Sequence, residues 1–123
     1  MAKTQVLVIG LEPSLVDFST MPDMNAEKVR AGLEADQAKL SARGYEAELC
    51  LTDLGDTAAE VVTQKLAERP FDCVVIGAGI RTIPAHFLLF EQLVNVIHRA
   101  APGARICFNT KPTDTAEAVQ RWA

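Results

Sequence analysis

The chain is predicted to fold as a three-layer α/β sandwich, a four-stranded parallel sheet in the order 2-1-3-4 with helices on both faces. Three observations predict it. Val6 to Ile9 and Phe71 to Ile76 are unbroken apolar runs, the mark of parallel strands covered on both faces. Tyr45 to Leu51 alternates instead, setting Glu46, Glu48 and Cys50 opposite Tyr45, Ala47, Leu49 and Leu51, as suits an edge strand. Helical patterns separate the strands. Right-handed crossovers then make every strand parallel and put the two apolar ones in the centre.

The first strand, Val6 to Ile9, leads through Gly10 into a long irregular segment, residues 11–24, rich in proline, serine and aspartate. Strand-to-helix loops usually take about two to six residues, so one of about fourteen points to a lid or ligand loop. Asn25 caps a helix that runs to Arg43 and stops at Gly44, with Ala26, Val29, Leu33 and Leu40 on its apolar face. After the edge strand, Thr57-Ala-Ala-Glu60 has the pattern of a capping box for a second helix that ends before Pro70. Phe71 to Ile76 opens into a glycine turn, and Pro84 suits the first turn of a third helix reaching Ala100. Arg105 to Asn109 is the last strand. Asp114-Thr-Ala-Glu117 starts a final helix in which Val119 and Trp122, one turn apart, are expected to clamp the sheet. No repeat, low-complexity tract or linker interrupts residues 1–123, which read as one domain.

A chain of 123 residues, 49% hydrophobic and 23% charged, can bury about two-thirds of its unfolded surface around one core. A formal net charge of −4 gives no broad attraction for nucleic acid or an anionic membrane, so neither is an expected partner. The N-terminal apolar run is too short to cross a bilayer and lacks a signal-peptide pattern, which predicts a cytoplasmic protein. Cys50, Cys73 and Cys107 are an odd set placed in strands without a C-x-x-C pair. They are expected as buried thiols, with neither a disulfide nor a metal site.

Open α/β sheets bind ligands outside the carboxyl ends of their strands where the strand order reverses, here between the first and third strands. Gly10, Glu12, Ser14 and Asp17 from the long loop should border that crevice. Gly77 to Thr82 come from the glycine turn, and Asn109, Thr110 and Lys111 follow the last strand, giving a polar pocket of mixed charge. Gly77 and Gly79 let backbone amides approach a phosphate or carboxylate, and Arg81 offers it a planar, bidentate partner. Gly10, Ser14, Thr82, Asn109 and Lys111 complete the expected ligand-binding set. His86 shares an arc with Phe90, Leu93 and Ile97 and is expected to face the sheet end. It is the candidate general acid or base, with Glu12 or Asp17 as acidic counterpart; the plainer reading is a histidine bonded to a carbonyl.

In the third helix, Phe87, Leu89, Phe90, Leu93, Val94, Val96, Ile97 and Ala100 spread over about half of the circumference. Leu89 and Val96, with Leu88 beside them, exceed what one sheet covers. That surplus predicts a homodimer through residues 85–100, or cover by the neighbouring helix and the C-terminal segment.

Val74-Val-Ile-Gly-Ala-Gly79 resembles the opening of a dinucleotide-binding fingerprint. The position of its third glycine is Thr82, and no acidic ribose partner stands about twenty residues further on, so NAD or FAD in the usual mode is not expected. Size and strand order resemble flavodoxins and response-regulator receivers. A receiver's phosphoacceptor position is Gly77 or Ala78 here, and no paired acids follow the first strand. Gly10-Leu-Glu-Pro-Ser14 departs from the serine- and threonine-rich flavodoxin phosphate loop. A Walker lysine, a G-x-S-x-G elbow and an H-E-x-x-H pair are all missing from the sequence. The functional expectation is a small cytoplasmic α/β protein that binds a small anionic metabolite between strands one and three, with no cofactor specified. Any catalysis there would be transfer or hydrolysis. The alternative is a non-catalytic, receiver-like interaction module acting as a homodimer.

Overall fold

The computed structural model describes residues 3–19 and 21–123. Strands β1 (Gln5–Leu11), β2 (Glu46–Thr52), β3 (Cys73–Ile76) and β4 (Arg105–Phe108) form one parallel sheet in the order β2-β1-β3-β4. The register pairs Val8 with Leu49 on one side and with Val75 on the other, so β1 is central and its carboxyl end opens beside that of β3.

Side-chain alternation divides the core between the two faces. Leu7, Ile9, Val74 and Ile76 point to one face, where α2 (Ala58–Glu68) and α4 (Phe87–Ala100) cover them with Val62, Leu66, Leu93 and Ile97. Val6, Val8, Cys73 and Val75 point to the other face, against Leu40 of α1 (Ala26–Ala42) and Ala116, Ala118 and Val119 of α5 (Thr115–Trp122). Each fully buried aliphatic side chain contributes about 1.5–3 kcal/mol relative to exposure. The three cysteines are buried free thiols, and burial pushes the Cys50 thiol up to about 11.

Local signals behave unevenly. The Asn25 side chain accepts the Lys28 amide at 2.9 Å, and Gly44 takes φ +92°, which ends α1 as expected. Thr57 makes no cap with its own side chain: Asp53 accepts the Gly55 amide and the Thr57 amide and hydroxyl, so the turn before α2 is organised one step earlier than the capping-box pattern suggests. Asp114 likewise holds the Thr110 amide at 2.9 Å rather than capping α5. Val119 is buried on the sheet, whereas Trp122 is exposed and clamps nothing. The expected third helix is divided. The glycine turn forms one helical turn, α3 (Ala78–Arg81), a 3-10 turn follows over Pro84–His86, and α4 begins only at Phe87. Ile83 is extended, the conformation favoured before a proline. Leu89 and Val96, expected to be surplus, are only 5% and 4% exposed and belong to the core that α4 shares with α2. Phe87 and Leu88 remain exposed. No helix among the described residues is long and apolar enough to cross a membrane.

Candidate functional site

A cavity of about 370 Å³ lies at the carboxyl ends of β1 and β3, where the strand order reverses. Its floor is Val8 to Leu11, one wall is α1 through Val29, Leu33 and Asp36, and the other is the turn from Gly77 to Ile83 without Arg81. Asn109, Thr110 and Lys111 close the far side. Val16, Phe18, Met21 and Met24 of the long loop also line it, so the segment expected to act as a lid or ligand loop contributes apolar side chains rather than its acids. Thr20 of that loop lies outside the described residues.

The glycines earn their places differently. Gly77 donates its amide to the Ile9 carbonyl at 2.9 Å, and a Cβ there would stand 3.3 Å from that same oxygen, so close backbone approach favours glycine. Around Gly79 a Cβ would meet nothing within 4 Å. At Gly10 a Cβ would stand 3.6 Å from Leu33 of α1 and from Leu51 of β2, an ordinary contact.

Of the expected ligand-binding residues, Gly10, Gly77, Gly79, Thr82, Asn109 and Lys111 line the cavity; Ser14 and Arg81 do not. The Ser14 hydroxyl turns to Glu12. Arg81 donates Nη2 to the Asn109 carbonyl and carries its guanidinium 5.6 Å from the centre of the Phe108 ring, which fixes it behind the turn. The three catalytic candidates are also spent elsewhere. Glu12 accepts Arg30 Nη2 at 2.6 Å, and that bond holds its carboxyl below the usual range. Asp17 accepts the Ser19 amide at 2.9 Å, which lowers it in the same sense. The His86 ring nitrogen Nδ1 lies 3.2 Å from the Gly79 carbonyl, the plainer of the two readings. These groups are not brought together.

The pocket is therefore mainly apolar, not the polar pocket of mixed charge that strand ends and loop composition predict. The polar groups inside it form a relay. The Ala78 amide donates to Asn109 Oδ1 at 2.8 Å, Asn109 Nδ2 donates to the Thr115 hydroxyl at 2.9 Å, and Thr115 donates to Asp36 Oδ2 at 2.7 Å. Asp36 is 6% exposed, and burial raises its carboxyl above the usual aspartate range against the lowering effect of the Thr115 bond. No cation among the described residues makes an ion pair with it: the nearby Lys39 is bonded to the Thr113 carbonyl and Glu117. Asp36 escapes a reading of the sequence that seeks acids near strand ends. Its signal is the spacing 29, 33, 36, 40, an apolar helical stripe with one carboxylate in it.

Among the described residues no group of three or more histidine, cysteine, aspartate or glutamate side chains is placed to hold a metal ion. No family model matches the sequence, and a search of curated proteins finds no match to it.

Proposed function

We propose that the chain binds a small molecule in the cavity between β1 and β3. The observation that carries this reading is the cavity itself: about 370 Å³ at the switch point, lined by apolar side chains with a few convergent polar groups. Small-molecule sites share that size and that ratio of greasy wall to polar contacts. Support for an anionic ligand is confined to the rim, where exposed Lys111 borders the opening. Two of the groups that favoured an anion are otherwise engaged, Arg81 with the Asn109 carbonyl and the Gly77 amide with the Ile9 carbonyl. Catalysis gains no support from Glu12, Asp17 or His86, each of which has a local partner. A homodimer built on residues 85–100 draws on Phe87 and Leu88 alone, since Leu89 and Val96 are covered by α2.

An amide NMR titration of the full chain with indole tests the reading. Shifts should cluster at Gly10, Gly77, Gly79 and Asn109, and Val29→Trp, which fills the cavity from α1, should abolish them. Shifts scattered over the surface, or unchanged in the Val29→Trp protein, overturn it.

A further inference from the structure

We infer that the ligand is an apolar amine, held by an ion pair between its ammonium group and Asp36. The inference rests on the cavity being the binding site and adds the chemical class of what enters it. A carboxylate taken out of water is costly unless paired or fully hydrogen-bonded. Among the described residues Asp36 meets neither condition. It is 6% exposed, it lines the cavity, and one hydroxyl bonds its Oδ2; among the described residues nothing donates to Oδ1. The charge around it is mixed, with Lys111 also at the cavity rim. Asp114 and Glu117 lie near enough to act on Asp36 as like charges, while Lys39, the one cation acting on it, is committed to Glu117 and the Thr113 carbonyl.

A ligand ammonium supplies both missing elements, a donor for Oδ1 and a counter-charge. An alcohol supplies the donor alone. A carboxylate supplies neither and adds repulsion. The rest of the molecule is specified by the walls, where Val16, Phe18, Met21 and Leu33 offer an apolar surface to a hydrocarbon or aromatic body.

Calorimetry of the full chain with three probes of matched shape tests the inference: phenethylamine, 2-phenylethanol and 3-phenylpropanoate. The amine should bind about ten-fold or more tightly than the alcohol, the premium of a charge-assisted bond in a desolvated site, with the carboxylate weakest. Asp36→Asn should weaken the amine more than the alcohol and bring the two to parity. An amine no tighter than the alcohol in the wild-type chain overturns the inference, and this comparison needs no variant to fold. An amine preference that survives Asp36→Asn also overturns it, and leaves Asp36 as a purely structural acid. A carboxylate that binds best reverses the charge sense and overturns it in favour of an anion. Alcohol binding without amine preference sinks the amine alone; silence from all three probes sinks the cavity reading with it.

Discussion

Asp36 and Glu48 are both carboxylates on the inner side of their elements, and the chain treats them in opposite ways. Glu48, on β2, sits between two cations of the α2 end: Arg69 Nη1 donates to its Oε1 at 3.0 Å, and Lys65 Nζ pairs with its Oε2. Those partners, Lys65 first, hold its carboxyl below the usual range. Asp36, on α1, receives one hydroxyl and makes no ion pair among the described residues, and burial holds its carboxyl above the usual range. One acid is neutralised from within the chain, as acids that fasten a helix to a sheet edge are. The other receives one hydroxyl among the described residues, and it stands in a cavity.

The contrast can be broken from either side. The largest effect is expected at Thr115→Val, which removes the one hydrogen bond that Asp36 receives among the described residues and an acceptor of Asn109. Urea unfolding should show a loss of about 2 kcal/mol, the range for a bond to a buried charge. A loss no larger than that of a surface substitution would mean that Asp36 is better solvated than its burial implies.

The pH dependence sharpens the contrast because the two acids act with opposite sign. Glu48 contributes stability that is present above the ordinary glutamate range and is lost as pH falls through its lowered folded value. Asp36 costs stability once it ionises. That cost appears as pH rises from the ordinary aspartate range through its raised folded value, and acid relieves it. Between pH 7 and about pH 3, Glu48→Gln should therefore flatten the acid loss seen in urea unfolding, and Asp36→Asn should steepen it. Equal slopes in the two variants would remove the distinction. The smallest effect belongs to Lys65→Met. It leaves Arg69 on Glu48 and should cost about 0.5–1 kcal/mol in the same assay, the worth of a half-exposed pair.

Much of the fold was legible in the letters because it rests on short-range pattern. Val6 to Ile9 and Phe71 to Ile76 read as inner strands and the alternation of Tyr45 to Leu51 suggests an edge, which holds although Glu48 turns inward to Lys65 and Arg69, and the order 2-1-3-4 follows from these and from crossover handedness. The location of the candidate site was legible for the same reason. Gly10, Gly77, Gly79 and Asn109 stand at strand ends, and topology alone carries them to the cavity. Its character was not. Glu12, Asp17, Arg81 and His86 reach Arg30, Ser19, Asn109 and Gly79, partners that spacing does not reveal. Long polar side chains respond to whatever lies within a few ångströms after folding. Val16, Phe18, Met21 and Met24 were hidden by their setting, apolar residues scattered through a segment whose prolines and acids dominate its appearance.

The relay from Ala78 to Asp36 also has a direction. A backbone amide can only donate, so Asn109 Oδ1 is pinned as the acceptor at the head of the string, and each following group passes its hydrogen onward to Asp36 Oδ2. With the Thr115 hydrogen on Oδ2, a proton taken up by Asp36 resides on Oδ1. One atom on the wall of the chamber thus switches from acceptor to donor with acidity, while its neighbour never changes sense.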